Sequence, residues 1–284
     1  MKNLMQFKAQ IKKLAEKKHI TAQLVLQNFM LERFLERISK SIYVHYFIVK
    51  GGFLIASIAG LNSRATMDMD VTIKNYPVSS ESIQTMILDI IKIPLNDNIL
   101  FSLQSIKNIR EQDDYSGYRV SLKATYDETK LSVDLKIDIT TGDKITPKEI
   151  TYEYPLLFEN RSIKILAYNL TTILAEKIET ILSRGTQSTR PRDYYDIYIL
   201  AKLKSQDIDY SLLYQALLST ATKRNSFFIF ENYSRILSSI ESSISLQNQW
   251  KSYQEEYAYA KSVKFEDAYY ILSKLVKKIM QSKS

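Results

Sequence analysis

The chain has 284 residues, 45% of them hydrophobic, and 39 Lys and Arg against 31 Asp and Glu give it a formal charge of +8. It contains no cysteine, which excludes disulfides and thiolate metal sites and gives no reason to expect an oxidising compartment, so a cytoplasmic protein is expected. Lys8, Lys12, Lys13 and Glu16 interrupt the basic opening segment, and no later stretch is apolar for long enough to span a bilayer, so neither a secretory signal nor a membrane segment is expected.

The excess charge lies in the flanks: residues 1–50 carry +7, residues 51–200 carry −3 and residues 201–284 carry +4. An acidic centre suits a cation, and basic flanks attract a polyanion such as nucleic acid; Lys-rich flanks also simply keep a protein in solution.

In chain order, apolar residues at helical spacing predict two N-terminal helices parted near His19–Thr21, which read as a lead-in. His45–Val49 reads as a strand, Lys50-Gly51-Gly52 as a glycine turn, and the small apolar stretch to Gly60 as a helix. Met67–Ile73 alternates, which predicts a half-buried strand with Asp68, Asp70 and Thr72 on one side and Met67, Met69, Val71 and Ile73 on the other. Ser79–Ile91 reads as a helix started by a serine. Three strands follow, Leu100–Arg110, Tyr118–Tyr126 and Leu131–Thr140, separated by turn-forming residues. Beyond Pro147 and Pro155 the pattern is helical: Thr171–Arg184, Tyr194–Leu203, Ser211–Thr222 and the segments from Tyr233, Leu246 and Phe265 onward. The expectation is an α/β (α+β) chain, with a mixed α/β domain over residues 1–160 and a helical domain over residues 161–284.

Three constellations carry chemistry. Asp68 and Asp70, two apart on a strand, project from one face and suit one or two Mg²⁺ ions, for which oxygen ligands are the natural partners. The preceding Gly51 and Gly52 let a backbone approach a phosphate beside a helix N-terminus. In Val133–Thr140 the apolar residues share one face, which places Asp134, Lys136 and Asp138 on the other. If Asp138 meets Asp68 and Asp70 the carboxylates call for a cation, and one of them can serve as a general base. Asp134 reads better as part of an amphipathic outer strand. On the third, Lys177 shares a helical stripe with Ile173, Leu174, Ile178 and Ile181, with Arg184 further along, so both cations are expected to point inward and to need an anion. Asp193 and Asp196 on the next helix are candidate partners, as is a bound triphosphate, and for Asp196 the structural and catalytic readings stand level. His19 and His45 are too isolated for a metal site, and the tyrosines around 194–198 read as packing residues.

Four blocks in this order resemble the nucleotidyltransferase-like toxins of the bacterial abortive-infection AbiEii/AbiGii family, the toxin halves of type IV toxin–antitoxin pairs. They are Lys50-Gly51-Gly52 leading to Arg64-Ala-Thr66-Met-Asp68-Met-Asp70; Lys136-Ile-Asp138-Ile-Thr-Thr-Gly142-Asp143; Ala175-Glu-Lys177 through Arg184; and Arg190-Pro-Arg192-Asp193-Tyr-Tyr-Asp196. The resemblance implies a polymerase-β-like nucleotidyltransferase core with a mixed sheet, followed by a C-terminal helical bundle. It also implies metal binding (Mg²⁺ or Mn²⁺) at Asp68 and Asp70 with Asp138 in the place of a third carboxylate, and catalytic roles for Lys177 and Asp193. Nucleotide contacts are implied for Gly51, Gly52, Arg64, Lys177 and Arg184. Two departures are visible: Gly52 where many nucleotidyltransferases carry serine, and Arg192 where the family's last motif usually has lysine.

The expected activity is transfer of a nucleotide from a nucleoside triphosphate to a nucleic-acid acceptor, by the resemblance a tRNA 3′ end, in a toxin paired with an antitoxin encoded nearby and acting in phage defence. The competing expectations are a non-catalytic nucleic-acid or protein-binding module with the same fold, and a metal-dependent phosphohydrolase or nuclease.

Overall fold

The computed structural model describes residues 4–109, 117–127, 129 and 131–282. The chain divides into two compact units, residues 1–143 with 150–167, and residues 144–149 with 168–284.

The first unit begins with α1 (Leu4–Lys18) and α2 (Ala22–Ser39), then β1 (Phe47–Lys50), α3 (Gly51–Ala59), β2 (Met69–Ile73) and α4 (Ser80–Ile91). Five further strands complete it: β3 (Ile99–Asn108), β4 (Gly117–Tyr126), β5 (Ser132–Thr141), β6 (Ile150–Pro155) and β7 (Ser162–Ala167). All seven strands form one sheet in the order β3-β4-β5-β2-β1-β7-β6. The β2–β5 and β1–β7 pairs are parallel and the others antiparallel, so the sheet is mixed as expected.

Local chemistry explains the element ends. The Thr21 hydroxyl accepts from Leu24 N–H and starts α2. Ser79 and Ser82 exchange side-chain and backbone hydrogen bonds in a capping box that starts α4. In β4 and β5, Val120, Leu122, Ala124, Val133, Leu135 and Ile137 fill the core while alternate residues face out.

Three expectations are corrected. The strand at Asp70 starts at Met69, so Met67 lies outside it and is 46% exposed, and Thr72 is buried because both faces of the central strand are covered. The hairpin β6–β7 went unread, although Ile163 and Ile165 alternate with Ser162 and Lys164 in the way a half-buried strand requires. The third concerns α2, which is no lead-in. Every residue from Leu24 to Ile38 is buried, and the helix packs against β5, β7 and α4.

That burial takes charged side chains with it, and they are paired. Arg37 forms a two-pronged hydrogen bond with Asp97, at 2.7 and 3.0 Å. Arg33 bridges Glu32, Glu36 and Glu159, and Arg161 closes the group on Glu36. Burial pushes the Glu32 carboxyl up to about 7, against the opposing pull of Arg33 and of the Leu157 N–H. The folded chain therefore keeps this proton to about pH 7, while the unfolded chain releases it near the ordinary 4.5. Folding stability is expected to fall as pH rises through that window, by up to about 3 kcal/mol, and to level off above it. Urea unfolding of the wild type at pH 5, 6, 7 and 8 should show this decline. Glu32→Gln should flatten it, and an unchanged slope in that variant would remove Glu32 as its source.

The second unit contains α5 (Leu170–Arg184), α6 (Pro191–Leu203), α7 (Tyr210–Lys223), α8 (Ile229–Glu241), α9 (Ile244–Glu256) and α10 (Phe265–Gln281). Pro191 occupies the first turn of α6, where its missing N–H is harmless. Trp250 is buried and its indole N–H donates to Val263 O at 2.9 Å.

Candidate active site

The site in the first unit is built on a cross-strand row. Lys50 on β1 lies opposite Asp70 on β2, Asp70 opposite Asp138 on β5, and Asp138 opposite Arg119 on β4. Opposed residues on neighbouring strands share a face, so the fold itself brings Asp70 and Asp138 together.

Asp70 sits at the mouth of the β1–α3 turn. Gly51 has φ +63, and a Cβ there would fall 2.2 Å from Asp70 Oδ2, so only glycine lets the turn approach the carboxylate so closely. The N–H of Gly52, in the first turn of α3, donates to the Asp70 carboxylate. A Cβ at Gly52 would lie 3.0 Å from Arg64 Nη2 and 3.1 Å from Thr66 Oγ1. Arg64, expected at the nucleotide, is 2% exposed and packs behind this glycine, donating to Ala65 O.

Burial raises the Asp70 carboxyl above its ordinary range; Lys50 and the Gly52 N–H oppose the shift, and Asp138 and Asp68 add to it. Asp68 is exposed, just before β2. Its segment is held from behind by α2: Asn28 Nδ2 donates to Thr66 O at 2.8 Å, and Gln27 Nε2 donates to Met67 O and Asp134 O, each at 3.0 Å.

Asp138 is gripped by Arg119, whose Nε and Nη2 donate to its two carboxylate oxygens at 2.8 and 2.7 Å. The Arg119 pKa is raised first by Asp138 and also by Asp68 and Asp70, so one guanidinium answers to all three carboxylates. Lys50 Nζ meets Asp143 Oδ2 at 2.5 Å, and Thr140 Oγ1 donates to the same oxygen at 2.9 Å.

Among the described residues, no group of three or more His, Cys, Asp or Glu side chains forms a metal cluster. The pair Asp68 and Asp70 nevertheless fits a divalent ion, because Mg²⁺ is commonly held by one or two carboxylates and completed by substrate phosphates and water. A carboxyl whose pKa is raised by burial and by two neighbouring acids is one that a cation would hold ionised.

In the second unit, Lys177 Nζ lies 2.7 Å from Asp193 Oδ1 and 2.7 Å from Asp196 Oδ2, with the lysine 14% and the two acids 4% and 0% exposed. Burial alone would lower the Lys177 pKa, and the two carboxylates outweigh it and raise it. Arg190 Nε is 3.0 Å from Asp193 Oδ2, an ion pair whose angle is too poor for a hydrogen bond. Arg184 does not point inward: it ends α5 exposed to water, two residues beyond Leu182, the last buried residue of the helix. Asp134 is exposed on the outer face of β5, as read from the strand. Arg192 stacks on Tyr257, its guanidinium carbon 4.8 Å from the ring centroid, and also donates to the Tyr257 hydroxyl.

Arg119, Lys50, Asp143, Gln27 and Asn28 were absent from the sequence-level site. Lys50 and Asp143 stood inside quoted motifs. Arg119 carried no signal beyond its place on an alternating strand, since its importance follows from pairing register. His19 and His45 are exposed and far apart in sequence.

A mixed sheet that presents an acidic pair beside a glycine turn, followed by helices, is the arrangement of the nucleotidyltransferase class. The chain belongs to the nucleotidyl transferase AbiEii toxin family of type IV toxin–antitoxin systems, whose model matches residues 33–270. Among solved structures it is similar to MenT4, a nucleotidyltransferase toxin from Mycobacterium tuberculosis, with TM-score 0.55 and 11% identity over 98% of this chain and 99% of that one. It is also similar to a nucleotidyltransferase from Helicobacter pylori described as putative, with TM-score 0.52 and 14% identity over 93% and 100% of the two chains. These likenesses show the fold. No curated protein matches the chain. Among the described residues, no helix is long and apolar enough to cross a membrane.

Proposed function

We propose that this toxin moves a nucleoside monophosphate from a nucleoside triphosphate onto a nucleic-acid hydroxyl, with a tRNA 3′ end as the acceptor, and that it acts in the cytoplasm as the toxic half of a phage-defence pair. The observation that carries the reading is the meeting of Asp70, Asp138 and Asp68 beside the Gly51 turn, with Lys50 and Arg119 at either end of the row.

In the reaction the acceptor oxygen bonds to the α-phosphorus, the bond from that phosphorus to the α–β bridging oxygen breaks, and pyrophosphate leaves. Asp68 and Asp70 would hold Mg²⁺ or Mn²⁺, which when bound supplies positive charge against the phosphate oxygens. Asp138, on the strand beside Asp70, takes up the proton of the acceptor hydroxyl, and Arg119 keeps that carboxylate oriented until then. In this reading the triphosphate lies along the glycine turn, whose backbone approaches Asp70 closely. The resemblance assigns catalytic roles to Lys177 and Asp193 and nucleotide contacts to Lys177 and Arg184, and these belong to the same proposal, as does an antitoxin encoded nearby.

Purified protein incubated with each α-labelled triphosphate, Mg²⁺ and total tRNA is expected to give labelled tRNA with at least one triphosphate, and none after chelation. Lengthening of the acceptor separates transfer from hydrolysis, which shortens it. Absence of label in every combination, with wild type and Asp70→Ala equally inert, would sink the reading.

A further inference from the structure

The cross-strand row continues past the acidic residues. Arg119 on β4 lies opposite Lys107 on the edge strand β3, so the same sheet face reads Lys107, Arg119, Asp138, Asp70, Lys50 across five strands. Below that row the outward face of β3, β4 and β5 is open to water: Lys123 and Lys136 are exposed, Lys123 lying opposite Ser102 and Asp134 and Lys136 opposite Ser121.

Among the described outward positions of these strands, Lys107, Arg119, Lys123 and Lys136 stand against Asp134 and Asp138 alone. Small side chains, Ser102, Ser105 and Ser121, lie among them. We propose that this sheet face is the docking floor for the acceptor strand, with Lys107, Lys123 and Lys136 contacting its phosphates and leading its terminal hydroxyl toward Asp138 and Asp70. The inference rests on the nucleotidyltransferase reading above and adds where the acceptor lies.

Charge complementarity chooses the occupant. A floor of cations spaced over neighbouring strands, about 5 Å apart across the sheet, matches a chain of phosphates better than an apolar or acidic partner. Arg119, held between this floor and Asp138, ends the cationic surface where the acidic one begins.

The test is tRNA binding by filter retention across a salt series, without triphosphate, for three proteins. These are the wild type, the sheet triple Lys107→Gln/Lys123→Gln/Lys136→Gln, and a control triple on exposed helical positions, Lys264→Gln/Lys274→Gln/Lys277→Gln. Melting curves establish that each is folded, and equilibrium dialysis with a labelled triphosphate reads the nucleotide site separately.

The sheet triple is expected to bind tRNA about tenfold more weakly at physiological salt and to lose about two units of the log K against log salt slope. Its triphosphate binding should be unchanged, and the control triple should behave as wild type. Equal losses in both triples would overturn the proposal, because bulk charge would then explain binding. So would a sheet triple that binds normally. A wild type that binds triphosphate but no tRNA at any salt also overturns it, while leaving nucleotide chemistry at Asp70 standing.

Discussion

Gly51→Ala is expected to lower nucleotide transfer by about 10²-fold or more while leaving the chain folded. The new Cβ would fall 2.2 Å from Asp70 Oδ2 and 2.8 Å from Asp70 Cγ, distances no relaxed contact tolerates. Either the carboxylate swings away or the β1–α3 turn retreats. The backbone also carries φ +63, a left-handed conformation that costs an alanine about 1–2 kcal/mol. That strain is small against the stability of a domain, but a displacement near 1 Å at a reacting centre is enough to cost about two orders of magnitude in rate. Gly52→Ala is the comparison. Its Cβ would press on Arg64 Nη2 and Thr66 Oγ1 at 3.0 and 3.1 Å, which calls for a smaller adjustment and a smaller loss. Transfer rates with labelled triphosphate, alongside circular dichroism, decide the matter. A Gly51→Ala protein with wild-type activity would show that the close approach to Asp70 is irrelevant to the chemistry.

Lys177→Met is expected to destabilise the helical unit by about 3–5 kcal/mol, because it removes the cation shared by the buried Asp193 and Asp196. Arg190 stays beside Asp193. The variant is expected to unfold at lower urea than the wild type. Urea unfolding at pH 5 and pH 8 tests this, and Lys177→Met/Asp196→Asn should recover part of the loss. A single variant as stable as wild type at both values would mean that the two acids do not depend on Lys177. Activity of Lys177→Met is interpretable only where melting shows it folded.

The two acidic motifs were legible because each rests on strand alternation, which is a local property. Asp70 and Asp138 point to one side of their own strands whatever the neighbours are, and the order of an α/β unit followed by helices came from periodicity, while the mixed sheet came with the resemblance. Their meeting depended on the parallel pairing of β2 with β5, strands separated by a helix and a hairpin, and the resemblance supplied what spacing alone left open. Arg119 lay beyond reach for the same reason, since it pairs with Asp138 through register across β4 and β5.

Helix α2 was misread because its charged residues look solvent-facing in a linear pattern. Only tertiary partners such as Asp97 and Glu159 make Arg37 and Arg33 compatible with burial. Arg184 failed in the opposite direction, because the apolar stripe of α5 ends before the helix does. Hairpin β6–β7 is preceded by Pro147 and carries Pro155 at the end of its first strand, and these prolines masked the alternation of β7.

The two amide contacts of Gln27 have a practical implication for anyone shortening or fusing this chain. One side-chain nitrogen clasps the loop before β2 and the backbone of β5 together, so the segment that carries Asp68 is pinned from a helix lying far upstream of it. Trimming the N-terminus past that point would release the Asp68 segment, while the β2–β5 pairing would still set Asp70 opposite Asp138.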